Sequence, residues 1–234
     1  MILTNQRDSI YTLNYLYNSL HLPVKLQFRQ GHTAEYLYDA SGGKRQVKHT
    51  TTNQNLSVGW GSFKEITAAQ KANEKVTDYC GGGIYENGVL KMILTPEGYI
   101  TLSGTTPTYH CYLRDHLGNN RVVVNQSGTV TQVNHYYPFG GVFGEGTATS
   151  DQPYKYNDKE LDRTNGLDLY DYSARYMDAA LGQFTTVDPV EEKYPSISPY
   201  AYVGNHPVRR TDPTGIDWYE DEQRNLKWQE GSEE

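Results

Sequence analysis

Cysteine is scarce. Cys80 and Cys111 are the two in 234 residues, which excludes a disulfide-rich scaffold and a four-cysteine zinc site. Trp and Met number three each and Phe five, so they supply few of the bulky side chains. No apolar stretch approaches the about 18 residues of a membrane-spanning helix. Met1-Ile2-Leu3 gives way at once to Thr4, Asn5 and Gln6, so no signal peptide is visible. Positive charge is short as well: 21 Lys and Arg stand against 28 Asp and Glu, and the net charge of −7 argues against a nucleic-acid surface. The seven His contain no H-E-x-x-H and no i, i+4 pair, so no metal site is expected. Gly81-Gly82-Gly83 lacks the Lys-Ser/Thr and the helix of a phosphate loop and reads as a turn. No cofactor is expected.

What is abundant is Tyr, with 21 copies, and Gly, with 22. A Tyr-, Gly- and Thr-rich chain with short apolar runs favours strands and turns over helices. Charge is uneven. Residues 217–234 carry seven acids (Asp217, Glu220, Asp221, Glu222, Glu230, Glu233, Glu234) against Arg224 and Lys227, and two of the three Trp. Composition changes abruptly at 215–217, which marks a boundary. The acidic tail reads either as a frayed terminus or as the first piece of a different, truncated module.

Short repeats run through the chain. Tyr36-Leu37-Tyr38-Asp39-Ala40-Ser41-Gly42 reads Y-x-Y-D-x-x-G, and Tyr112-Leu113-Arg114-Asp115-His116-Leu117-Gly118 keeps its first Tyr, its Asp and its Gly at the same spacing. Tyr154–Asn157 and Tyr170–Ser173 are decayed copies without the Gly. Physically this is a strand entering a turn. Tyr at i and i+2 share one face, Asp accepts backbone amides two residues on, and Gly takes positive φ. Hairpins are expected at Ile84–Leu94, where Asn87-Gly88 favours a type I′ turn, and at Val122–His135 around Gln126-Ser127-Gly128. Pro96-Glu97-Gly98 separates two further strands. The pattern predicts an all-β meander. One exception is Phe63–Val76, whose Ala, Lys and Glu suggest a short helix in an insertion over 62–77. Residues 53–61 and 141–152 read as loops.

Residues 154–216 hold the most specific text. Gly166-Leu167-Asp168-Leu169-Tyr170-Asp171-Tyr172-Ser173-Ala174-Arg175-Tyr176-Met177-Asp178 leads to Leu181-Gly182-Gln183-Phe184-Thr185-Thr186-Val187-Asp188-Pro189. Tyr200-Ala201-Tyr202-Val203-Gly204-Asn205-His206-Pro207 follows, and Asp212-Pro213-Thr214-Gly215-Ile216 ends the block. This block resembles the RHS repeat-associated core domain. The Tyr-Asp copies upstream resemble the RHS/YD repeats that precede it, and Tyr136-Tyr137-Pro138-Phe139-Gly140 is similar to the Bacteroidetes-type link.

The resemblance implies an all-β fold: a meandering β-hairpin ribbon of the RHS/YD shell type over 1–153, the core over 154–216, and the variable tail over 217–234. A few short helices are expected near the C-terminus. It further implies a hollow shell that holds a C-terminal toxin, export or surface display, and a role in contact-dependent competition or insecticidal toxin assemblies. The implied partners are an upstream RHS shell, a C-terminal toxin segment, and an immunity protein or a target-cell surface. In several members the core is an intramolecular aspartyl protease. At 234 residues, with 19 after Gly215, this chain is far shorter than the family pattern. It is therefore expected to be the C-terminal remnant of a larger gene or a short displaced cassette, with an exposed N-terminal sheet edge prone to self-association.

The resemblance places catalysis on Asp188 and Asp212, 24 residues apart, and the cut after Ile216, with Pro207, Pro213, Gly215 and Ile216 as the cleavage motif. An aspartyl protease needs two adjacent carboxyls sharing one proton. The same residues also make a natural turn, with Asp accepting amides, Pro presetting φ and Gly in the left-handed region. Both readings stand. Arg175, Arg209 and Arg210 read chiefly as surface charge, with a depressed neighbouring carboxylate as the alternative. Asp168, Asp171 and Asp178 offer a weaker calcium or glycosidase site, and Cys80 and Cys111 either pair or stay free. The competing functions are a self-cleaving scaffold, a carbohydrate- or partner-binding surface module, and an inactive remnant.

Overall fold

A computed structural model of the chain describes residues 4–7, 11–145, 152–220 and 227–228. The chain divides into two compact units, Met1–Leu94 and Thr95–Glu234. The first is an antiparallel meander of β1 (Thr4–Arg7), β2 (Tyr11–Tyr17), β3 (Pro23–Phe28), β4 (Thr33–Tyr38), β5 (Lys44–Thr52), β6 (Lys71–Cys80), β7 (Gly83–Glu86) and β8 (Val89–Thr95). Each strand pairs with its sequence neighbour.

One turn builds much of the meander. Asp39 Oδ1 accepts the amides of Ser41 and Gly43 at 2.9 Å each, and Gly42 takes φ of +86°. The Ser41 hydroxyl, 2.7 Å from the same oxygen, leads the hydrogen bonds that bring the Asp39 carboxyl down to about 2. Asp115 repeats this with the amides of Leu117 and Asn119 at 3.0 and 3.1 Å and Gly118 at φ +77°. Asn18 and Asn125 do the same with neutral side chains, His21 and Gly128 taking positive φ. The decayed copy at Lys155 keeps the turn's two backbone bonds, with Asp158 in place of the glycine at φ +59°. Tyr pairs at i and i+2 share a face as expected: the rings of Tyr36 and Tyr38 stack at 6.2 Å and those of Tyr15 and Tyr17 at 5.8 Å. The type I′ turn at Asn87-Gly88 forms with both residues at positive φ.

The expected helix within Phe63–Val76 is absent. Residues 68–70 make a single 3-10 turn, and 71–80 are β6, paired with β5 from Gln46 to Thr52. The Ala, Lys and Glu there mark solvent exposure along a strand rather than helical propensity, which tertiary pairing overrides. The loop before that turn satisfies two buried amides: Asn14 Nδ2 donates to the carbonyls of Gly59 and Ser62, and Gln27 Nε2 to that of Lys64.

The second unit continues with β9 (Gly98–Ser103), β10 (Thr106–Arg114), β11 (Asn120–Asn125), β12 (Val130–Tyr136) and β13 (Val142–Glu145), again paired in sequence order. A four-stranded sheet follows: β14 (Glu160–Asp162), β15 (Leu169–Asp171), β16 (Tyr176–Asp178) and β17 (Gln183–Phe184). A small sheet of β18 (Arg210–Thr211), β19 (Tyr219–Glu220) and β20 (Lys227–Trp228) ends the described chain. The structure is all-β, as expected. Where short helices were expected near the C-terminus there are single 3-10 turns at 156–158, 164–166, 191–193 and 203–205, and no α-helix occurs among the described residues.

The core of the second unit is built on tyrosine: Tyr136, Tyr156, Tyr170, Tyr172 and Tyr202 pack with Leu161, Met177, Phe184 and Val203. Burying a phenol requires a partner for its hydroxyl. Tyr156 donates to the Pro138 carbonyl at 2.8 Å and Tyr170 to that of Gly140 at 2.9 Å. Tyr172 and Tyr202 both donate to Asn157 Oδ1, at 2.7 and 2.6 Å. The acidic tail beyond Glu220, apart from residues 227–228, lies outside the described residues, as do 146–151 of the expected loop.

Candidate functional site

Arg175 is the centre of the site. The β15–β16 turn carries it: the Tyr172 amide donates to the Arg175 carbonyl, and Asp171 Oδ1 accepts the Ser173 amide at 2.7 Å. Its guanidinium lies 3.7 Å from the centre of the Phe184 ring. The side chain is 2% exposed, so the surface-charge reading of Arg175 is overturned. A buried guanidinium needs acceptors for a fixed fork of donors. Nε donates to the Gly215 carbonyl at 2.6 Å and Nη1 to that of Pro199 at 3.2 Å. Nη2 meets Asp188 Oδ2 at 2.9 Å and Asp212 Oδ2 at 3.5 Å.

The two expected catalytic aspartates therefore converge, but on a shared cation rather than directly on one another. Asp188 is held by its own turn, with Oδ1 accepting the Val190 amide at 2.9 Å across Pro189, and its amide donates to Pro199. Asp212 follows β18 and is 1% exposed. Its Oδ1 accepts the amides of Thr214, Gly215 and Ile216 at 3.2, 2.7 and 3.1 Å. Burial pushes its carboxyl up to about 6, against the pull of Arg175 and those three amides. The turn expected of Asp212-Pro213-Thr214-Gly215 is therefore formed, and the same carboxyl lies against the Arg175 guanidinium.

The remaining motif residues close the loop. Gly215 sits at φ +75°, and a Cβ there would come within 3.0 Å of the Arg175 amide nitrogen and the Tyr172 carbonyl oxygen. The Pro213 carbonyl accepts from Lys159 Nζ at 2.6 Å, and the Pro207 carbonyl lies 3.4 Å from the Tyr156 hydroxyl. Ile216 is half-buried. Beyond it, Asp217 accepts from the Tyr194 hydroxyl at 3.1 Å, Trp218 lies under the Arg210 guanidinium, and Glu220 pairs with Arg209 and Arg210 at 2.7 and 2.8 Å. Residues 217–220 are thus packed on the core rather than frayed.

Lys159 and Pro199 were missed by sequence reasoning, because nothing local couples them to a loop more than ten residues away. Arg175 carried one signal: it stands between Tyr172 and Tyr176, both destined for the interior. Asp171 and Asp178 are turn residues, Asp178 accepting the amides of Ala180 and Leu181. Among the described residues no three His, Cys, Asp or Glu gather to hold a metal ion. Cys80 and Cys111 are both free and exposed.

No family model matches the chain. Over 109 residues, 46% of its length, the chain is 36% identical to salivary gland surface protein 1 of Aedes aegypti, and it spans 3% of that protein. Over 102 residues, 41% of its length, it is 32% identical to toxin subunit YenC2 of Yersinia entomophaga, of which it spans 10%. Among solved structures it is similar to a TcdB2–TccC3–TEV crystal structure, with a TM-score of 0.68 and 17% identity over 87% of this chain and 10% of that one. The Photorhabdus luminescens Tc holotoxin pore, with an aspartate of TccC3 changed to alanine, matches at a TM-score of 0.63 and 17% identity, with the same coverage. The class these findings define is an all-β chain with the fold of part of the TcdB2–TccC3 toxin. The particular similarities in sequence are to salivary gland surface protein 1 and toxin subunit YenC2, and this chain spans about a tenth or less of each protein it matches.

Proposed function

We propose that this chain is the core-end scaffold of an RHS-type toxin of the Bacteroidetes kind, and that it cuts itself after Ile216 to free a C-terminal toxin segment. The observation supporting this is the meeting of Asp188 and Asp212 at buried Arg175, whose Nε also holds the Gly215 carbonyl, one residue before the bond to be cut. In the reaction, water attacks the Ile216 carbonyl carbon and yields its proton to Asp188. Asp212, which keeps its proton up to about pH 6, gives it to the departing Asp217 nitrogen as the C–N bond breaks. Arg175 holds both carboxyls and the loop in register, and the surrounding tyrosine core excludes bulk water.

In this reading the chain works outside the cell or on its surface. Its partners are the upstream RHS shell, the toxin segment, and an immunity protein or a target-cell surface. The test is the intact mass of the denatured wild-type chain beside Asp188→Asn and Asp212→Asn. A wild-type product ending at Ile216, with both variants full length, is the expected result. Full length in all three overturns it.

A second reading, a carbohydrate- or partner-binding surface module, draws on Tyr137 and Phe143, two exposed rings 4.7 Å apart. Stacking on sugars by exposed aromatic rings would appear as binding on a glycan array that is lost in Tyr137→Ala.

A further inference from the structure

We propose that Lys159 is a positioning residue of this site, acting on Asp212 through the Pro213–Thr214 peptide; the proposal rests on the self-cleavage reading. Two peptide groups connect Asp212 to cations. The Pro213 carbonyl accepts from Lys159 Nζ at 2.6 Å, while the amide of the same peptide, Thr214 N–H, donates to Asp212 Oδ1 at 3.2 Å. The Gly215 carbonyl accepts from Arg175 Nε at 2.6 Å, while the amide of that peptide, Ile216 N–H, donates to the same oxygen at 3.1 Å. Each peptide dipole thus points from a cation to the carboxylate. A cation on the carbonyl polarises the amide and strengthens its hydrogen bond to an anion. The two arms fix the loop that carries the bond to be cut, and both favour the ionised form of Asp212.

Local structure delivers Lys159 to this place. Its amide donates to the Tyr156 carbonyl and its carbonyl accepts the Lys155 amide, closing the turn at 156–158. The half-buried side chain crosses the face of Tyr172, with Nζ 5.5 Å from the ring centre. Burial lowers its ammonium below the ordinary lysine value, opposed by Asp171, Asp212 and Asp158. The other charged and titratable groups around Asp212 are Arg175, Asp188 across that guanidinium, and the hydroxyls of Tyr172 and Tyr194.

A neutral donor can also hold the Pro213 carbonyl in place, but without the charge, so the charge separates a positioning role from packing. The experiment follows cleavage of the full chain by intact mass across pH, for wild type, Lys159→Gln and Lys159→Arg. Removing the cation raises the pH at which Asp212 loses its proton. In Lys159→Gln the alkaline limb of the rate profile should therefore move up by about 0.5–1 pH unit. Lys159→Arg should leave it in place. A Lys159→Gln rate that changes without a shift of the limb overturns the proposal and leaves the self-cleavage reading standing. An equal shift in Lys159→Arg overturns it too, whether or not Lys159→Gln folds. A wild-type chain uncut at every pH removes both.

Discussion

Two glycines with the same backbone conformation test how tightly the Asp212 loop is packed. Gly215 has φ of +75° and Gly128, in the turn between β11 and β12, +77°. Placing an L-residue in that region costs about 1–2 kcal/mol at either site. Their surroundings differ. A Cβ on Gly128 meets nothing within 4 Å, whereas one on Gly215 comes to 3.0 Å from the Arg175 amide nitrogen and the Tyr172 carbonyl oxygen. Both are backbone atoms of the β15–β16 turn, and the Ala174 amide ties that turn to the Thr214 carbonyl at 3.1 Å. Neither atom can swing aside like a side-chain tip. Overpacking of this kind adds about 1–3 kcal/mol. Gly215→Ala is therefore expected to cost about 2–5 kcal/mol and Gly128→Ala about 1–2 kcal/mol. For a chain of this size each kcal/mol lowers Tm by about 2–4 °C, so thermal unfolding should separate the two variants by roughly 2–12 °C. Equal Tm values would refute the close approach of the loop to the β15–β16 turn.

Three further outcomes are expected. Burial raises Asp212 to about 6, above the ordinary 3.8, so the folded chain binds the extra proton. That contribution to stability is full below pH 3.8 and is lost as pH rises through about 6. Asp212→Asn should therefore gain about 3 kcal/mol on the wild type between pH of about 3.5 and about 7.5 in urea unfolding, and parallel curves would contradict it. Arg175→Met strands the buried Asp212 and the part-buried Asp188 without their cation and should cost about 3–5 kcal/mol. Arg175→Lys should restore less than half of this, because one ammonium cannot replace the fork to two carbonyls and two carboxylates. Asp115→Ala removes four donors' common acceptor and should destabilise by about 1–3 kcal/mol, whereas Asp115→Asn should cost less, since Asn18 and Asn125 already make the same turn. Hydrogen bonds hold the Asp115 carboxyl below its ordinary value, so its contribution is present at neutral pH and lost as pH falls through the folded value.

The turns were legible because their chemistry is local. Asp39 to Gly43 and Asp115 to Asn119 contain every donor and acceptor the turn uses, and Gly42 and Gly118 announce the positive φ. The copy at Asn18 escaped notice since His21 occupies the position where a glycine was sought, and the copy at Lys155 read only as a decayed one because Asp158 stands there. Residues 71–76, the first part of β6, fell within the expected helix because the Ala, Lys and Glu of an exposed strand imitate a helix surface, and the pairing partner β5 lies some twenty-five residues upstream.

The sequence by itself determined the all-β meander, its turns and the turn-forming aspartates, because hydrogen bonds spanning four residues are written in adjacent letters. Only the tertiary structure decided that Arg175 is buried, that Asp188 and Asp212 meet on it, and that Lys159 reaches Pro213. Those contacts join residues 13 to 54 positions apart, and what makes them is the burial of a tyrosine core with every hydroxyl satisfied, which no local spacing encodes.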